Sequence, residues 1–150
     1  HLNFTAFNRR LLITGEVPSE EARSAIGERV GKLNGIKEVF NETVVGAASS
    51  LSSRTNDSYV TSKVKARLVD EKTLSANHIK VVTEAGTVYL MGLVTEREGK
   101  VAVAVTRTTA GVRKVVNLTE VISDAEAKRL QTLPSAGTAP PSQPAPVESR

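Results

Sequence analysis

Slid along itself by 77 residues, the chain meets its own sequence: His1 falls on His78, Gly15 on Gly92, Val17 on Val94, Glu21 on Glu98 and Ala25 on Ala102. After a one-residue gap the offset becomes 76, and Gly35 meets Gly111, Val39 meets Val115, Asn41 meets Asn117, Thr43 meets Thr119 and Val45 meets Val121. Such self-similarity calls for one structural unit built twice. The second copy carries residues 56–77 ahead of the matched part, so the first, residues 1–46, lacks the opening element of its partner.

The longer copy, residues 56–122, shows what the unit is. Val60, Val64 and Leu68 recur every four residues behind Asn56 or Asp57, predicting a capped helix with one inward stripe. Two β-branched runs, Ile79–Thr83 and Thr87–Val94, flank Glu84-Ala-Gly86 and predict a hairpin. Thr95 with Glu98 is a capping-box spacing for a second helix ended by Gly111, after which Val112–Ile122 reads as a last strand. The order is αββαβ, an α+β unit with a small three-stranded sheet and two helices. Residues 47–55 are small and polar and read as a linker. Residues 123–133 read as a short helix led by Ser123 and Glu126, and 134–150, with five of the six prolines, as a disordered tail.

Alternation along the second strand of the hairpin turns Val88, Leu90, Gly92 and Val94 to the core. Tyr89, Met91 and Leu93 then form a second apolar face, where the first copy has Leu12, Thr14 and Glu16. That face either packs against the other unit or is a patch for a protein partner. Glycine inside a strand asks for a close neighbour at Gly15 and Gly92, and a packed helix is the expected one.

Residues 54–122 hold eleven basic and seven acidic side chains, whereas the flanking segments are balanced, so all the excess positive charge lies in this middle segment. A positive surface of that kind suits phosphate, on lipid or nucleic acid. Three Phe, two Tyr and no Trp are thin provision for base stacking, and the GXXG clamp of RNA-binding α+β modules is missing. With no Cys and two His there is no thiolate nucleophile, no Ser-His-Asp triad and no two-His metal site, and no phosphate-binding loop occurs. The expectation is a protein with no enzymatic activity, no cofactor, no metal and no small-molecule substrate. Asn-x-Ser/Thr spacings at Asn3, Asn41, Asn56 and Asn117 read as incidental.

The pattern Asp57-x-x-Val60-x-x-x-Val64-x-x-x-Leu68, Ile79-x-Val81, Gly86-x-Val88-x-Leu90-x-Gly92-x-Val94, Gly111-Val112-x-x-Val115-x-Asn117 resembles the BON domain. The tandem arrangement, with Asn56–Lys65 and Gly92–Glu98 in the second copy, resembles the dual BON-domain lipoproteins of Gram-negative bacteria. The resemblance implies a protein held by a lipid anchor at the periplasmic face of the outer membrane, binding anionic phospholipid through its second domain and supporting envelope integrity. The anchoring Cys of such a family is not in this chain. The contact it implies is the first helix of the second domain, with Tyr59, Ser62, Lys63, Lys65 and Arg67. Tyr59, Lys63 and Arg67 share a stripe at spacing four, beside the inward one. Other expectations are envelope protein partners through Tyr89, Met91 and Leu93, and a nucleic-acid role that the missing aromatics disfavour.

Overall fold

The structure, a computed structural model, describes residues 1–74 and 79–132, so His78 and the proline-rich 134–150 lie outside the described residues. The first unit runs β1 (Leu2–Phe7), β2 (Arg10–Val17), α1 (Glu20–Gly31), β3 (Glu38–Asn41) and β4 (Val44–Val45). The second runs α2 (Leu51–Asp70), β5 (Ile79–Glu84), β6 (Thr87–Val94), α3 (Glu96–Arg107), β7 (Lys114–Asn117) and β8 (Glu120–Val121), followed by α4 (Asp124–Thr132).

The duplication holds in the hydrogen-bond register. Leu2 faces Gly15 across the first antiparallel hairpin and Ile79 faces Gly92 across the second. In both units the central strand then takes a third strand in parallel, Leu11 beside Val39 and Val88 beside Val115. The single last strand expected over Val112–Ile122 is broken in two. Asn117 Oδ1 accepts from Thr119 Oγ1 at 2.6 Å and from its N–H at 3.1 Å, a local turn that interrupts the ladder, and Asn41 does the same for Thr43. The repeated Asn-x-Thr is therefore a backbone device.

α2 begins at Leu51, inside the segment read as linker, and its cap is Ser50, whose hydroxyl accepts from Ser53 N–H. Asn56 and Asp57 are helix-interior residues. Asp57 is buried, and its carboxylate accepts from the N–H groups of Ala85 at 2.8 Å and Gly86 at 3.0 Å. These are the two central residues of the β5–β6 turn, both with positive φ, a type I′ geometry. The carboxylate thus ties helix to hairpin. The α3 capping box is present as expected, with both bonds made between Thr95 and Glu98.

In the second unit Val60, Val64 and Leu68 of α2 close over Val81, Val88, Leu90 and Ala102. In the first, Leu11, Ile13 and Val30 form a smaller core, with no helix in the place of α2 among the described residues. Phe4, the counterpart of Val81, is therefore 54% exposed against 6%. The repeated glycine of the helix-to-strand turn shows the same asymmetry. Gly35 and Gly111 both have φ near +90°, but a Cβ on Gly35 would meet nothing within 4 Å, whereas one on Gly111 would lie 2.9 Å from Val60 Cγ2. Gly35→Ala is expected to cost only the left-handed penalty, about 1 kcal/mol, and Gly111→Ala about 2–3 kcal/mol because α2 must also give way. Urea unfolding of the two variants measures the difference, and equal costs would rule out this account. At Gly15 the close neighbour is the His1 carbonyl oxygen, which a Cβ would approach to 2.0 Å, and not a packed helix.

The two sheets stack on each other. Leu12, Tyr89 and Met91 are buried in one cluster, packed by Phe7, Phe40, Val82, Val116 and Leu118 from both units. The face bearing Tyr89 and Met91 is thus covered by the first unit and is closed to a protein partner, while Leu93 is half-buried beside Glu120. The positions carrying Leu12 and Tyr89 are repeat equivalents, so the pairing buries the same face of each copy. Burial first, then the nearby charges of Glu42 and Glu84, push the Tyr89 hydroxyl up to about 12. One end of the seam is ionic. Glu120 accepts from Asn8 Nδ2 at 2.8 Å and Lys37 Nζ at 3.3 Å and lies 3.6 Å from Arg10 Nη2. Burial alone would push this carboxyl up, but those donors and charges hold it below the ordinary range.

Candidate functional site

Helix α2 presents two opposite faces. Asp57, Val60, Val64 and Leu68 turn inward, while Leu51, Thr55, Tyr59, Ser62, Ala66 and Val69, spaced by three or four residues, form one exposed ridge on the other side. Leu51 is 79% exposed, Tyr59 62% and Val69 70%, an unusual amount of apolar side chain in water for a single helix. At 100° per residue, Lys63 and Arg67 flank the ridge on one side and Arg54 and Lys65 on the other. Four cations border it, and Asp70 is the one carboxylate on α2 besides the buried Asp57.

The cations differ in how they are held. Lys63 Nζ donates to the Ala110 carbonyl at 2.7 Å and sits 4.6 Å from the centre of the Tyr59 ring, a cation–π contact that also fixes the ring. Arg67 Nη1 reaches the last turn of α3, donating to Val105 O at 2.8 Å, Thr109 Oγ1 at 2.9 Å and Thr108 Oγ1 at 3.1 Å. It caps the carboxyl end of that helix, where a cation is favoured. Its structural duty was not visible in the sequence, which placed Arg67 on one stripe with Tyr59 and Lys63. Lys65 is exposed, and Ser62 donates to Ser58 O within the helix.

The structure therefore brings Tyr59, Ser62, Lys63 and Arg67 to one side of α2 and sets Lys65 on the far flank of the ridge. Leu51 and Thr55, the front of the ridge, escaped the sequence reading because it began the helix at Asn56, and Val69, inside that helix, was not singled out. The spacing Leu51, Thr55, Tyr59 is the signal that would have found them. No helix among the described residues is long and apolar enough to cross a membrane.

A family model described as the BON domain matches residues 1–47 and 56–123. Among curated proteins, the outer membrane lipoprotein DolP of Haemophilus influenzae is 29% identical over 117 residues, which cover 78% of this chain and 61% of that protein. A 21 kDa hemolysin of Actinobacillus pleuropneumoniae is 28% identical over the same length, covering 78% and 60%. The chain thus spans about three-fifths of each of these relatives. Among solved structures, CdsD, a structural protein of the type III secretion system of Chlamydia trachomatis, overlays with a TM-score of 0.40 at 16% identity, over 87% of this chain and 90% of that one.

Proposed function

This chain belongs to the BON-domain family, with two units in tandem, and from that premise we propose that it is a non-enzymatic peripheral membrane protein that lays α2 on an anionic phospholipid surface. The observation that carries the reading is the exposed ridge of Leu51, Tyr59 and Val69 with cations on both flanks, directly opposite the buried stripe. A helix of this kind lies in the plane of a membrane interface, its apolar ridge at the depth of the headgroups and its basic flanks at the phosphates. Likeness to an outer membrane lipoprotein supports a place at the periplasmic face of the outer membrane, a lipid anchor outside this chain, and a role in envelope integrity.

The magnitudes favour a helper rather than a sole anchor. Each basic side chain near an anionic leaflet is worth about 1 kcal/mol, so the four flanking cations supply about 4 kcal/mol, an affinity of roughly millimolar. That is weak for free protein but sufficient once a lipid anchor confines it to the surface. The charges of Lys63 and Arg67 count in this sum although each has hydrogen bonds inside the protein, because the attraction is of whole charges to a surface potential.

Co-sedimentation with phosphatidylglycerol and phosphatidylcholine vesicles tests the reading. Binding is expected with the first only. Lys65→Glu is the clean variant, since Lys65 is exposed while Lys63→Glu also breaks the contact with Ala110. Reversing that charge is expected to weaken binding by about 2 kcal/mol, roughly thirtyfold, and Tyr59→Ala to weaken it further. Equal binding to both vesicles, or no change in Lys65→Glu and Tyr59→Ala, would overturn it.

A further inference from the structure

The second end of the seam between the units differs from the Glu120 end. Three side chains far apart in sequence meet there, His1 and Glu16 from the first unit and Glu84 from the second, with one ligand-capable atom of each lying within 4.8 Å of the others. His1 Nδ1 is 3.1 Å from Glu16 Oε1, and His1 Nε2 is 3.9 Å from Glu84 Oε1. The side chains are 14%, 11% and 10% exposed, so two carboxylates share a site largely shielded from water.

The fold does not ask for carboxylates there. The repeat equivalent of Glu16 is Leu93 and that of Glu84 is Phe7, which packs in the interdomain apolar cluster. Two negative groups so close repel unless a cation stands between them. The nearby Arg54 donates through Nε to Ser49 Oγ, and the chain-terminal amine donates to the Glu16 backbone carbonyl. Neither donates to a carboxylate in these bonds. The carboxylates are oriented from behind, Glu16 by the Ser49 N–H and Glu84 by Asn3 Nδ2 and, at 3.2 Å, Thr14 Oγ1. Oriented carboxylates beside an imidazole are the arrangement of metal ligands held by their outer shell. A hollow of about 310 Å³, lined by His1, Asn3, Asp57, Thr83 and Glu84 among others, opens beside them.

We infer that His1, Glu16 and Glu84 form a site for one divalent cation of the zinc class, which clamps the two units together. One nitrogen and two carboxylate oxygens leave the fourth tetrahedral position open toward the hollow, where water can bind. An imidazole with so few protein ligands suits zinc and poorly suits calcium, which takes six to eight oxygens. Ligation at about 2.1 Å requires each side chain to close inward by about an ångström. Sequence reading excluded a metal because it counted histidines, while the third ligand, Glu84, lies in the other unit.

Titration calorimetry and thermal unfolding with zinc chloride, and separately calcium chloride, test this. Zinc is expected to bind one to one and raise the unfolding temperature, and calcium to do neither. Glu84→Gln and Glu16→Gln are each expected to weaken zinc binding more than about tenfold. Circular dichroism shows whether each variant is folded, and Glu16→Gln, at the end of β2, decides the matter if Glu84→Gln is not. Zinc affinity is expected to survive one alanine placed ahead of His1, and also His78→Ala. Absence of zinc binding, unchanged affinity in folded Glu16→Gln, or loss of binding when the terminal amine is blocked or His78 is removed would each overturn the proposal.

Discussion

Leu12→Asp is expected to destabilise the whole chain by about 4 kcal/mol or more, the larger part of the stability of an ordinary domain. Leu12 is fully buried between the two sheets, in a cluster whose other buried members are Tyr89 and Met91. A carboxylate there would be stripped of water with no cation among those neighbours, which costs several kcal/mol. Leu12→Ala removes only packing and should cost about 3 kcal/mol. Urea unfolding followed by circular dichroism gives both numbers, and amide exchange gives their distribution. Both units should loosen in Leu12→Asp, because the face exposed on β2 is also the cover of β6. A cost below 1 kcal/mol would mean that the sheets do not pack on each other in solution.

Asp57→Ala comes second, at about 3 kcal/mol. The change leaves the N–H groups of Ala85 and Gly86 without their acceptor and removes two charge-assisted bonds. Asp57→Asn keeps one acceptor oxygen and no charge, and should cost about half as much. The pair of variants separates two roles for this residue. A helix N-cap, the role its sequence position suggests, tolerates Asn as well as Asp and loses only about 1 kcal/mol on going to Ala. A carboxylate gripping a turn does not tolerate Asn. Exchange of the Ala85 and Gly86 amides should quicken in both variants. Asn at no cost would return Asp57 to the capping role.

These two residues also mark the boundary of what could be read in advance. The inward stripe of α2, the hairpins and the α3 capping box were legible because each is a local pattern: a period near 3.6, a period of two, or a bond spanning three residues. The start of α2 was misplaced for a local reason too. Ser and Thr favour caps and loops in isolation, so 51–55 reads as linker, yet the packed part of the helix carries them, with Thr55 Oγ1 bonding back to Leu51 O. The front of the outward ridge, Leu51 and Thr55, was lost with that misplaced start. Lys63, Lys65 and Arg67 were found and Arg54 was not, nor was it seen that Arg67 serves the end of α3, since its acceptors lie 38 to 42 residues away.

From the sequence alone followed the unit, its duplication, the αββαβ order and the inward faces of α2 and β6, because offsets and periods are properties of the chain itself. What the second apolar face was for had two answers in the sequence and one in the fold. Tyr89 and Met91 bury against Leu12 because each sheet has one face left over once its own helices have packed, and the two copies bury that remainder in each other. The same stacking brought Glu16, Glu84 and His1 together. No periodicity records such a meeting, since it depends on how two finished units dock rather than on how either one folds.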